Sequence, residues 1–264
     1  MKTIQFSSKY YSKEWRSEYG EIPKPTPSLN NIPEYYKKLE RYTGGNKVWG
    51  NKTVKTCIPF LDAYKTGYMI PFSTDINCWY DKEKLVMNFE IHENMIKDEF
   101  QFGVNFHGDI QVPEELRYNR RTVDRIFKFN NTWQIKTPPG YSCFFTQPNN
   151  TNLPFQIIDG VVDTDVYPFI VNFPFYWTSD SNKPPLMLQQ GSPMVQVIPF
   201  KREEWKSDFK YFDQEATKKH AFTFFSRFEN AYKNFSWKKK TYREQILMAK
   251  LVLTRFPEAP EEYE

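Results

Sequence analysis

The run from residue 133 to residue 146, Trp-Gln-Ile-Lys-Thr-Pro-Pro-Gly-Tyr-Ser-Cys-Phe-Phe-Thr, limits what this chain can fold into more than any other stretch. Trp133 and Ile135 alternate with polar residues before Pro138-Pro139-Gly140, and Tyr141, Cys143 and Phe145 alternate after it. Proline presets φ at the corner of a turn and glycine accepts the left-handed conformation of a reversal, so the run reads as strand, turn, strand. A second unit of the same grammar follows: residues 186–189, the turn Gly191-Ser192-Pro193, then residues 194–200. Two such ribbons make an antiparallel β-sandwich the expected centre of the fold.

The flanking sequence is read around that centre. Residues 1–32 carry Pro23, Pro25 and Pro27 at a spacing suited to an extended arm, with Tyr10, Tyr11, Trp15 and Tyr19 to dock it. A short helix is expected from Ile32 to Tyr42, started by Pro33 and stopped at Gly44-Gly45, and another near Pro59, stopped at Gly67. Residues 68–72 and 75–80 read as strands paired across Ser73-Thr74, with 84–90 completing a meander and Pro71 at an edge or bulge. Residues 126–129 read as one arm of a hairpin that turns at Asn130-Asn131 into Trp133, and 157–162 and 169–173 as further strands. Beyond Pro199 the period changes. Phe212, Ala216, Ala221, Phe224, Phe225, Phe228, Ala231, Tyr232 and Phe235 recur every three or four residues, which predicts a helix with one apolar stripe, and residues 242–256 predict a second. The expected domains are an N-terminal arm and short helix (1–47), a β-sandwich (48–206) and a C-terminal helical extension (207–264).

Composition bounds the functional classes. Phe, Tyr and Trp make up 18% of the 264 residues, enough buried area for one large core. Most of them fall at alternating strand positions, where packing rather than stacking on nucleic acid is the expected use. A net charge of +4 announces neither nucleic acid nor an anionic membrane, and the basic clusters at Arg117, Arg120, Arg121 and Arg125 and at residues 238–240 read as solvated surface. Cys57, Cys78 and Cys143 match no zinc or disulfide spacing and are expected to be reduced and buried. The N-terminus lacks the apolar stretch of a signal peptide and no run approaches a membrane span, so a cytoplasmic protein is expected. The glycine-rich phosphate loop, nucleophile elbow and dinucleotide fingerprint are also missing, which excludes the common nucleotide-dependent enzymes.

Several segments together resemble a family of uncharacterised cupin-like proteins of tailed bacteriophages and bacteria. They are Cys57-Ile58-Pro59-Phe60-Leu61-Asp62-Ala63 with Gly67-Tyr68-Met69-Ile70-Pro71, residues 133–142, Val162-Asp163-Thr164-Asp165, and Gly191-Ser192-Pro193 through Phe200. The resemblance spans residues 48–206. It implies a cupin-like jelly roll, or double-stranded β-helix, and a phage-encoded protein, acting in the host cytoplasm or in the virion. It implies no activity, because the family is a domain of unknown function.

The Pro-x-Gly turn also resembles the second motif of metal-binding cupins and the distal-histidine strand of JmjC-type oxygenases. There a ligand histidine follows the glycine by three positions; here that position is Cys143. A free cysteine among Phe144 and Phe145 reads as core packing, so no metal cofactor is expected. His107-Gly108-Asp109 matches the His-x-Asp half of the triad of Fe(II)/2-oxoglutarate oxygenases, which makes His107 and Asp109 the alternative metal ligands. The remaining histidines fit that triad poorly, since His220 falls on the predicted C-terminal helix and His92 precedes the motif. Asp163 and Asp165 flank Thr164, so an extended chain puts both carboxylates on one face, whereas in a turn they cap nearby N–H groups. With Tyr141, Asn172 and Gln196 they form the candidate pocket. The expected function is a binding or assembly module without a complete metal site, its N-terminal arm and C-terminal helix serving a protein partner or a second copy. The alternatives are an Fe(II)/2-oxoglutarate oxygenase using His107 and Asp109, and a structural component of the virion.

Overall fold

The computed structural model describes residues 2–45, 51–84, 86–91, 102–107, 111, 125–179, 184–215 and 217–218. The chain divides into two compact units, residues 1–55 with 59–204, and residues 56–58 with 205–264. In chain order the elements are β1 (Gln5–Ser7), α1 (Lys13–Tyr19), β2 (Thr26–Pro27), α2 (Glu34–Lys38), α3 (Ile58–Lys65), β3 (Tyr68–Pro71), β4 (Ile76–Asp81) and β5 (Val86–Ile91). They continue with β6 (Val104–Phe106), β7 (Ile126–Phe129), β8 (Gln134–Lys136), β9 (Tyr141–Thr146), β10 (Phe155–Ile157), β11 (Gly160–Val162), β12 (Phe173–Trp177), β13 (Leu186–Leu188) and β14 (Pro193–Lys201).

The first unit is mainly β, as expected, and all strand ladders among its described residues are antiparallel. Five strands run in the order β11-β9-β14-β3-β2, four in the order β10-β12-β7-β6, three as β13-β4-β5, and β1 pairs β8. From β9 to β12 the chain alternates between the five-stranded and four-stranded sheets, one strand at a time. The two sheets meet through aromatic rings. Phe72, just beyond β3, lies 5.1 Å from Phe129 and 5.8 Å from Phe155, and Phe145 of β9 lies 5.5 Å from Phe173 of β12. Phe129 and Phe175 stack at 3.7 Å with planes 8° apart. From the three-stranded sheet, Phe89 adds edge contacts to Phe127 at 4.9 Å and Trp177 at 5.6 Å. Quadrupolar rings favour such edge and offset geometries, and each ring removes a large apolar area from water.

The arm docks on its own unit. β1 lies along β8, β2 along β3, and Tyr10 and Ile22 enter the core. Ser12 caps α1 by accepting the Trp15 N–H, which carries Trp15 onto Phe102. Gly67 ends α3 with φ +74°, and a Cβ there would lie 2.0 Å from the Val197 carbonyl oxygen. That glycine permits both the reversal and the close passage of two backbones.

Several local expectations change. The Pro138–Gly140 turn forms, with Gly140 at φ +82° and the Tyr141 N–H donating to Pro138 O. Its two strands nevertheless separate, β8 to β1 and β9 to β14 and β11, so the turn is a corner between sheets rather than a hairpin tip. The second ribbon does the same, β13 joining β4 and β14 joining β3 and β9. β3 and β4 also lie in different sheets: Ser73 and Thr74 are buried in a crossing, where Ser73 Oγ meets Thr132 Oγ1 at 2.6 Å and Gln190 donates to Ser73 O. The expected pairing of β4 with the following strand is present, and Pro71 sits opposite the Pro193 end of a register shift in β14. Asn130-Asn131 is no hairpin turn, because the Asn131 amide pairs with both the N–H and the carbonyl of Trp133 and so replaces a strand partner. Residues 169–172 precede rather than form a strand, and α2 ends at Lys38, short of the glycines.

In the second unit Thr217 N–H donates to Asp213 O at 3.1 Å, one helical turn. Trp205, Phe209, Tyr211 and Phe212 are exposed. The expected stripe at Ala216 and from residue 221 onward, the expected helix at 242–256, residues 238–240, and Arg117, Arg120 and Arg121 lie outside the described residues. Among the described residues no helix is long and apolar enough to cross a membrane.

Candidate functional site

Three of the five expected pocket residues come together at the corner between β9 and β11. The chain beyond β11 turns instead of extending: Val166 and Tyr167 N–H groups both donate to Asp163 O, at 3.0 and 2.9 Å. The turn aims both carboxylates at Arg202, just past β14. Arg202 Nη1 lies 2.9 Å from Asp165 Oδ1 and 3.1 Å from Asp163 Oδ1, and its Nη2 donates to Asp165 Oδ2. Ser142 Oγ donates to Asp163 at 2.6 Å and accepts from Arg202 at 3.0 Å. The Gly140 N–H donates to Asp165 at 2.8 Å, while the Arg202 N–H donates to Gly140 O. Arg202 first, and then the Gly140 N–H, hold the Asp165 carboxyl down to about 2, well below the usual range. Chemically this is a clamp on the proline-glycine corner. A carboxylate so far depressed is a poor proton carrier near neutral pH. Tyr141 faces the amino terminus, with the Lys2 ammonium at its hydroxyl and 4.1 Å above its ring.

Asn172 stands apart. Its Oδ1 accepts the Asn131 N–H at 3.0 Å, and it lines a cavity of about 530 Å³ with Gln134, Lys9 and Phe169.

Gln196 is placed elsewhere again. Alternation along β14 sends Val195 and Val197 into the core and Gln196 to the opposite face, where it is nevertheless fully buried. Its Nε2 donates to Ala63 O at 3.0 Å and Thr66 O at 2.6 Å, closing the end of α3, and its Oε1 accepts the Asn149 N–H at 2.9 Å. Asn149 Nδ2 also donates to Ala63 O. Above this amide girdle lies a cavity of about 380 Å³, walled by Pro33 and Tyr35 at the start of α2, Tyr64 of α3, Met69, Pro193 and the 148–153 loop. The Tyr35 and Tyr64 hydroxyls are 2.6 Å apart and share the Asn150 carbonyl oxygen. Burial, and then Tyr35, push the Tyr64 phenol above its ordinary value. A mostly apolar wall with a few converging polar groups is the usual makeup of a ligand pocket.

Cys143, three residues past Gly140, is buried and receives a hydrogen bond from Thr164 Oγ1 at 3.3 Å, while Thr164 also meets Thr137 at 2.7 Å. Burial raises its thiol above the ordinary range and that of Cys78 to about 12. Cys57, expected to be buried, is exposed; all three are free thiols. His107 Nδ1 lies 3.2 Å from Gln111 Oε1. Asp109, His92 and His220 are outside the described residues, among which no three His, Cys, Asp or Glu side chains are grouped to hold a metal ion.

Sequence reasoning overlooked Arg202, Tyr35, Tyr64 and Asn149. Arg202 carried a faint signal, as a guanidinium one residue past a strand in a chain with an Asp-x-Asp pair, but the strand register that joins them is not written locally. Tyr35 sits in a segment read only as helix start. A scan against protein-family models and a search of curated proteins both find no match to this chain.

Proposed function

We propose that the protein is a cupin-like jelly roll that has become a non-catalytic binding or assembly module of a phage-encoded kind. The strand order supports the fold: β3-β14-β9-β11 in one sheet and β7-β12-β10 in the other interleave early, late and middle strands as a jelly roll does. One observation carries the function. The space between the sheets, where a cupin enzyme holds its metal and substrate, is filled by Phe72, Phe129, Phe145, Phe155, Phe173 and Phe175, with Cys143 buried at the ligand position. Binding is left to the outer surface. The pocket over Gln196 and the aromatic segment starting at Trp205 are its candidate elements there, the latter for assembly. Elemental analysis of protein produced with iron, manganese and zinc supplied tests the reading: it expects well under one metal per chain, unchanged in His107→Ala. Stoichiometric iron that His107→Ala removes would instead establish the oxygenase alternative.

A further inference from the structure

The cavity over Gln196 has a chemical bias that follows from how its donors are used. The Tyr35 and Tyr64 hydroxyls share Asn150 O, so their two protons are committed while their oxygens keep lone pairs. Gln196 Nε2 spends both N–H groups on Ala63 and Thr66. Thr151 Oγ1 donates to Pro148 O, and Asn149 commits one amide N–H to Ala63. The second Asn149 N–H and the Asn152 amide remain as donors, against lone pairs on both phenols, Thr151 Oγ1, the two asparagine carbonyls and the Glu34 carboxylate, so what the wall still offers a ligand is chiefly acceptor capacity. Among the described residues the one charged side chain on the wall is Glu34, whose exposed partner Lys37 lies 2.6 Å away, a surface pair that a ligand cation can displace at little cost. Tyr35 is 58% exposed and adds an accessible ring face.

From this acceptor excess, together with the single acidic wall residue and the aromatic rings, we infer that the cavity binds a protonated alkylamine. The ammonium takes the phenol oxygens and Glu34, and its aliphatic stem lies along Pro33 and Met69. The inference rests on the reading of the protein as a binding module and names the ligand of that module's pocket. Free diamines and lysine side chains share this chemistry.

Isothermal titration of the full chain with 1,4-diaminobutane, 1-butanol and a capped peptide containing one lysine tests it. Saturation by the diamine in the range of about 1 mM is expected, with none by the uncharged alcohol. Tyr35→Ala should weaken the diamine about three- to fivefold and Glu34→Gln roughly threefold. Both residues are exposed, and Asp163→Asn in the distant clamp should change nothing. A peptide that binds more tightly than the diamine identifies the lysine side chain as the source, and the reverse order identifies a free amine. The inference is overturned if neither amine saturates, if butanol binds equally well, or if neither pocket variant weakens binding. Flat titrations leave the metal result standing, whereas stoichiometric iron removes the module reading without altering the titrations.

Discussion

The space between the sheets and the stretch of the outer side of the five-stranded sheet around Gln196 are both closed to water, by opposite means. Inside, closure is by rings: Phe129 and Phe175 stack at 3.7 Å, and Phe72, Phe127 and Phe155 pack around them. Outside, closure is by polar groups, the Gln196 amide under α3 and the Arg202 clamp on Asp165. β14 belongs to both, since Val195 and Val197 face in and Gln196 faces out, and all three are fully buried. Dispersion and apolar burial give the interior tight packing but leave no group to address a ligand. The outer face gains directionality from its hydrogen bonds and keeps unspent lone pairs at its surface.

Phe175→Ala should break the inner half of that contrast most severely. It opens a cavity among four other rings, so a loss of about 4 kcal/mol is expected in denaturant unfolding. A loss under about 1 kcal/mol would mean that the interior collapses freely and is no rigid plug. Gly67→Ala comes next, because it drives a Cβ into the Val197 carbonyl at 2.0 Å and imposes a positive φ on alanine. About 3 kcal/mol should be lost, and a neutral result would show that the end of α3 is not pinned against β14. Gln196→Leu tests the outer half. It fills similar volume but takes the Gln196 amide from Thr66 O and the Asn149 N–H and leaves Ala63 O with the Asn149 side chain, for about 2 kcal/mol. If leucine proves neutral, the outer face is closed by packing after all and the two sides differ less than their geometry says.

How far the sequence reveals each side follows from the same contrast. The ring-filled interior was legible, because alternating apolar residues name their face without knowledge of their partners. The turn at Gly140 and the end of α3 at Gly67 were legible too, since glycine and proline act locally. Partner choice was not. Strands on either side of Pro138–Gly140 look like a hairpin in sequence, yet they part, because β8 is claimed by β1 from the distant arm and β9 by β14. For the same reason Tyr141, Asp163, Asp165, Asn172 and Gln196 were expected in one pocket and occupy three places. The register that decides the neighbours of each polar residue is non-local. Asn131 shows the limit most clearly: in sequence it marks a turn, and in the fold its amide stands in for a missing strand.

The clamp yields the smallest effect and the sharpest signature. Asp165 is held at about 2 by Arg202 and the Gly140 N–H, below the ordinary aspartate value of about 3.9. An acid depressed in the folded state contributes stability that is complete above its unfolded value and is lost as pH falls through the folded one. The Asp165 contribution is therefore intact at neutral pH, declines from about pH 4 toward 2 and is gone below that. Asp165→Asn should lower stability slightly at pH 7 and remove this part of the acid limb, so that wild type and variant converge near pH 2. Phe175→Ala changes no titrating group, so its deficit should stay constant across the same range. Parallel curves for both variants would show that the clamp stabilises the corner through packing alone, and the distinction between a ring-closed interior and a charge-closed rim would fail at its most exposed point.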